Sequence, residues 1–99
     1  MYEKKRILIA DDESGIVQLL KDYFEIQDYQ VIEAKNGLEV LGQLNKQPDI
    51  ILLDVNMPML DGFEVCERIR SHVSCPILFL TAKIEESDRI RGLMIGGDD

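Results

Sequence analysis

Asp11 and Asp12, Asp54 with Asn56 two positions on, and Thr81 are the residues of this sequence whose types and placement could do chemistry together. Each group closes a short apolar run. If the first and third of those runs lie side by side, three carboxylates distant in sequence meet in one crevice. At ~4 Å, each like-charged pair would cost about 4 kcal/mol at an effective dielectric of ~20. A divalent cation relieves that repulsion, and a ligand set of oxygens without His or Cys selects a hard one, Mg²⁺ being the default in a cell. Mg²⁺ keeps several waters and accepts phosphate oxygens as further ligands, so the constellation suits phosphate chemistry.

Each acid also has a plainer reading. An Asp at a strand end is commonly a turn former or a helix cap, and Asp12 could cap a helix beginning near Ser14. For Asp11 or Asp12 taken singly the plain reading is preferred. Asp54 differs, because it follows four aliphatic residues, Ile50 to Leu53, and an unpaired carboxylate there would be costly. Three acids at strand ends together with Thr81 point to a site, since perturbed carboxylate clusters in crevices mark functional positions.

The elements that would position these groups alternate between two periodicities. Arg6 to Ala10 reads as a buried strand stopped by charge. From Ser14, the residues Ile16, Val17, Leu19, Leu20, Tyr23 and Phe24 recur at helical spacing. Gln30 to Ala34 is a second strand. Asn36-Gly37 opens a helix with Leu38, Leu41 and Leu44 on one face, closed by Gln47-Pro48. Asp49 to Val55, apolar without alternation, has the mark of a central parallel strand buried on both faces. Asn56 to Gly62 is a loop, followed by a helix lined by Phe63, Cys66 and Ile69. Pro76 to Leu80 is a fourth strand. A last helix from about Glu85 is expected to carry Ile90, Leu93 and Met94 on its apolar face and to end at Gly96-Gly97. Four strand-then-helix units imply an α/β fold, a doubly wound parallel sheet with helices on both faces. Its functional crevice lies beyond the carboxyl ends of the strands.

Composition narrows the function. The 99 residues suffice for one domain, and 45% hydrophobic content argues against disorder. No apolar run nears the ~20 residues that span a bilayer, and Ile7 to Ala10 is too short for a signal peptide, so no membrane association and a cytoplasmic location are expected. A net charge of −8 argues against direct contact with nucleic acid. Cys66 and Cys75 lack metal-ligand spacing and read as reduced thiols packed as small hydrophobes. His72, in a polar loop, reads as a surface residue. The Met57, Met59 and Leu60 cluster is open between a partner-contact loop and packing over the site.

The sequence resembles the receiver domains of bacterial two-component response regulators. The resemblance rests on Ile7-Leu8-Ile9-Ala10-Asp11-Asp12-Glu13, on Leu52-Leu53-Asp54-Val55-Asn56-Met57-Pro58 continuing to Asp61-Gly62, on Leu80-Thr81-Ala82, and on the closing Gly96-Gly97-Asp98-Asp99. It implies a flavodoxin-like receiver fold of strand order 2-1-3-4. It also implies a role for each matching residue. Asp54 would be the phosphoacceptor that forms an acyl phosphate. Asp12 would be a direct Mg²⁺ ligand and Asp11 an acid holding the ion mainly through water. Asn56 would offer its backbone carbonyl, and Thr81 would be the switch hydroxyl. Pro58 and Gly62 would shape the loop. The implied phosphoryl donor is a phosphohistidine on a sensor histidine kinase. The Thr81-to-Asp99 stretch looks most like the branch whose receivers precede a winged-helix DNA-binding domain, so DNA would be met only through an output domain absent here. The protein is then a phosphoacceptor switch controlling an output such as transcription, and not a turnover enzyme.

The family pattern continues past Asp98-Asp99 into a fifth strand ending in Lys-Pro and a fifth helix. Residues 1–99 therefore read as a receiver domain incomplete at its C-terminus, with Lys83 on the wrong strand to replace the missing Lys. The fourth strand is then expected to form an apolar edge that invites a homodimer or a swapped dimer, and Mg²⁺ binding is expected to survive better than phosphorylation. Three rivals differ in class. A haloacid-dehalogenase-type phosphatase needs an acid where Asn56 stands. A dinucleotide-binding domain needs a Gly-rich turn where Asp11-Asp12-Glu13 stands. A pseudo-receiver that acts only as a binding module would be favoured by the missing Lys.

Overall fold

The computed structural model describes residues 3–57 and 59–80, and the backbone of 94–96. Four parallel strands, β1 (Arg6–Ala10), β2 (Gln30–Ala34), β3 (Ile50–Asp54) and β4 (Ile77–Leu80), lie in the order 2-1-3-4. Between them run α1 (Ser14–Ile26), α2 (Gly37–Gln43) with a 3₁₀ turn at Leu44–Lys46, and α3 (Gly62–Ile69). The expected doubly wound α/β sheet and its strand order are thus observed, with strand ends within a residue of expectation.

The core divides across the sheet. Leu8, Ala10, Ile51 and Leu53 point to one face and pack with Val40 of α2 and Val65, Cys66 and Ile69 of α3. Ile7, Ile9 and Leu52 point to the other and meet Val17, Leu20 and Phe24 of α1. Alternate residues of β1 and β3 therefore serve opposite cores, which is why those strands are apolar without alternation. Arg6 and Asp49 fix the register at the far end of the sheet: the Arg6 N–H donates to Asp49 Oδ2 at 2.8 Å, and the Asp49 N–H to the Arg6 carbonyl at 2.7 Å.

Three expectations need correction. In α1 only part of the apolar set faces the sheet, and Leu19, Tyr23 and Ile26 are exposed. The apolar residues occupy more of that helix than one sheet can cover. Leu38 is exposed and Val40 takes its place in the core of α2, while Phe63 is exposed and meets the Phe79 ring edge-on at 4.6 Å. Met94, expected on a helix, begins β5 (Met94–Gly96), which pairs antiparallel with β4. The apolar β4 would otherwise present a row of unpaired N–H and C=O groups, and pairing with a second segment outweighs the helical spacing there. The bare β4 edge anticipated from sequence is accordingly occupied. Thr81, Lys83, Pro58 and the rest of the expected last helix lie outside the described residues. His72 is exposed as expected, and Cys66 and Cys75 carry no disulfide.

Candidate functional site

The register decides what meets at the carboxyl edge. Ala10 pairs with Leu53 in adjacent strands, so the next residue of each, Asp11 and Asp54, emerges side by side. Both are buried, at 3% and 1% exposure, whereas Asp12 faces solvent. One carboxylate oxygen from each of Asp11, Asp12 and Asp54 lies within 4.8 Å of the others. The acids that sequence singled out are therefore gathered into one group.

Both buried acids are oriented by the same local device. The Glu13 N–H donates to Asp11 Oδ1 at 2.9 Å, and the Asn56 N–H donates to Asp54 Oδ1 at 3.1 Å. Each is an Asp side chain accepting from the backbone two residues on, a turn that fixes its rotamer. The helix-capping reading of Asp12 is not realised, because Glu13 holds the N-cap position of α1 without a side-chain cap bond. Glu13 is a contributor that sequence reasoning passed over. Its position two after Asp11, matching Asn56 after Asp54, is the signal that could have found it.

Burial raises the Asp11 carboxyl to about 6, with Asp54 and Asp12 adding to the rise and the Glu13 N–H opposing it. Asp54 is raised as well, again mainly by burial, while its hydrogen bonds from Asn56 and Asp11 pull the other way. Both shifts are upward, so these two neighbouring carboxyls hold their protons more tightly than free acids do. Deprotonated, the cluster carries three negative charges, none of them in an ion pair among the described residues. Its donor set is oxygen only, one member is open to solvent, and the charges are left unbalanced, which together fit a hard divalent cation. Beyond Asp11 and Asp12 a hollow of about 260 Å³ extends towards β2, lined also by Ser14, Gln18 and Lys35.

The loop after Asp54 is tied back to it. The Gly62 N–H donates to the Val55 carbonyl at 3.2 Å, and a Cβ on Gly62 would collide with the Asp54 carbonyl oxygen. Asp61 caps α3 by accepting the Glu64 N–H at 2.9 Å, with Glu64 reaching back to the Asp61 N–H. Met57 is buried in the core, Leu60 packs against it, and Met59 is exposed. Met57 and Leu60 thus pack, whereas Met59 does not.

Known proteins share this arrangement in sequence and in fold. The alkaline phosphatase synthesis transcriptional regulatory protein PhoP of Bacillus subtilis (strain 168) is 48% identical over 97 residues, covering 96% of this chain and 40% of that protein. The transcriptional regulatory protein ResD of the same organism is 46% identical over 95 residues, covering 95% and 40%. This chain accordingly spans about two fifths of the length of these relatives. The receiver domain of the Francisella response regulator 1452 superposes with a TM-score of 0.75 at 31% identity, covering 90% of this chain and 75% of that one. The family model for the response regulator receiver domain matches residues 7–99. An acidic strand-end cluster on a 2-1-3-4 sheet, carried by a sequence that this model matches almost from end to end, makes the chain a member of the response regulator receiver domain family.

Proposed function

We propose that this domain accepts a phosphoryl group on Asp54 and thereby switches an output, as a phosphoacceptor and not as a turnover enzyme. The observation that carries the reading is the meeting of Asp11, Asp12 and Asp54 oxygens within 4.8 Å at the carboxyl end of β3. Asp11, Asp12, Asp54 and the backbone carbonyl of Asn56 would hold Mg²⁺, which when bound neutralises charge on the phosphoryl oxygens. The Asp54 oxygen left over from the Asn56 hydrogen bond attacks phosphorus. The new P–O bond forms as the P–N bond of a kinase phosphohistidine breaks, and the imidazole leaves with that electron pair. Asn56 and Gly62 hold the nucleophile and its loop in place, so alignment costs little during transfer. The product adds up to two negative charges and three acceptor oxygens at a buried point.

Thr81, the residue after β4 in sequence, is proposed as the hydroxyl that reads out this change by bonding a phosphoryl oxygen. A shift from 1:99 to 99:1 needs about 5.5 kcal/mol, which a few charge-assisted hydrogen bonds can supply. The names of the relatives support transcription as the output, and a winged-helix DNA-binding domain and a sensor histidine kinase are the partners proposed for it. The test is incubation with Mg²⁺ and acetyl phosphate followed by intact mass. One phosphoryl group should be gained by the wild type and none by Asp54→Asn. An equal gain in the Asn variant would remove Asp54 from the role. Steady hydrolysis of a phosphate ester would favour the phosphatase reading instead.

A further inference from the structure

We propose that Gly37, in the first turn of α2, is a positioning residue for the acidic centre, acting through Leu60 of the loop that carries Asn56. This rests on the metal-binding reading above and deepens it. Gly37 is buried, and its backbone is not in the left-handed region, so conformation does not require glycine there. Helix propensity alone would favour Ala by about 1 kcal/mol. Space is what excludes it. A Cβ on Gly37 would stand 2.6 Å from both the Cβ and the carbonyl oxygen of Leu60, and 2.8 Å from Val65 Cγ2. Gly42, in the same helix, has nothing within 4 Å of such an atom.

The close approach joins the two sides of the site. The start of α2 is anchored by Asn36, whose Oδ1 accepts the Glu39 N–H at 2.9 Å, and by Glu39, which accepts the Lys35 N–H at 2.7 Å. It follows β2, which pairs with the strand that delivers Asp11. Leu60 belongs to the loop pinned at one end by Asn56 on Asp54 and at the other by Gly62 on Val55. An added methyl at position 37 forces a shift, and the Leu60 contact includes a backbone atom that no change of rotamer can relieve. We infer that the displacement reaches Asn56, four residues away in the same loop, whose N–H orients Asp54 and whose carbonyl is the proposed ligand. Gly37 therefore sets the aim of a ligand it does not touch.

Backbone-amide NMR with Mg²⁺ titration on this chain tests the idea. In Gly37→Ala the metal-free Asn56 amide should shift and Mg²⁺ affinity should fall at least about fivefold, while the spectrum stays dispersed. Gly42→Ala should match the wild type in both. A folded Gly37→Ala chain with its Asn56 amide unmoved and an affinity within about twofold of wild type overturns the proposal. A merely structural glycine would lower the melting temperature and leave both readouts alone. Should Gly37→Ala not fold, Leu60→Gly loosens the same contact from the other side. Loss of affinity there supports the proposal, and unchanged affinity overturns it. A wild-type chain that takes no Mg²⁺ sinks the metal reading separately, and the Asn56 shift then decides alone whether Gly37 sets the loop.

Discussion

Asp11 and Asp54 bring carboxylate oxygens within 4.8 Å of each other across the carboxyl edge of β1 and β3. Burial is the main reason that the Asp11 carboxyl is raised to about 6, and the nearby Asp54 and Asp12 carboxylates add to the rise. A hard cation held by these acids would need them ionised, so protons and metal compete for the same oxygens.

Metal-free stability should therefore fall as pH rises from about 4 to about 6. The Asp11 carboxyl ionises near 3.8 ordinarily and near 6 when folded. In that window the folded chain holds more protons than the unfolded one, so stability falls with rising pH. Asp54 is raised too and contributes with the same sign. Urea titrations across this range should show the slope, and Asp11→Asn should flatten it. That variant should also gain roughly 1–3 kcal/mol over wild type at neutral pH without metal. Stabilisation by Mg²⁺ should grow as pH passes 6, reaching about 2.7 kcal/mol when the ion is at ~100 times its dissociation constant.

Asp12→Asn should separate binding from folding. Asp12 is exposed, so its loss should change metal-free stability by no more than about 0.5 kcal/mol. As a proposed direct ligand, its removal should weaken Mg²⁺ by about tenfold or more. Calorimetric titration of both chains at pH 7.5 compares them, and equal affinities would exclude Asp12 from the ligand set.

Gly62→Ala should cost about 2–4 kcal/mol, read as a lowered urea midpoint, although Ala is the better helix former. The added Cβ would run into the Asp54 carbonyl and lie 3.0 Å from Val55 Cα, and neither backbone atom can move without shifting Asp54. Gly15→Ala in α1, where an added Cβ meets nothing within 4 Å, should instead stabilise by about 0.5–1 kcal/mol.

Met59→Gly should stabilise the chain by about 0.5–1 kcal/mol. Met59 holds φ at 74°, in the left-handed region that penalises a side chain, and it is 71% exposed, so little burial is lost. The gain is net of the extra freedom that Gly brings to the unfolded chain. Thermal unfolding of the two proteins side by side measures it.

The sequence by itself determined the strands, because Arg6–Ala10 and Ile50–Asp54 are too continuously apolar to be anything but buried. It also picked out the acidic cluster, because Asp11, Asp12 and Asp54 each close an apolar run. Strand order came through the family resemblance, since periodicity marks a strand without ranking its neighbours. Tertiary structure decided the rest. Which apolar residues of α1 lie buried depends on the width of the sheet beneath, so Val17 is covered and Tyr23 is not. Met94–Gly96 became a strand because the edge of β4 was there to be paired. The raised Asp11 carboxyl and the tight space at Gly37 follow from atoms brought close only by folding, and no local pattern of residues encodes a distance across the sheet.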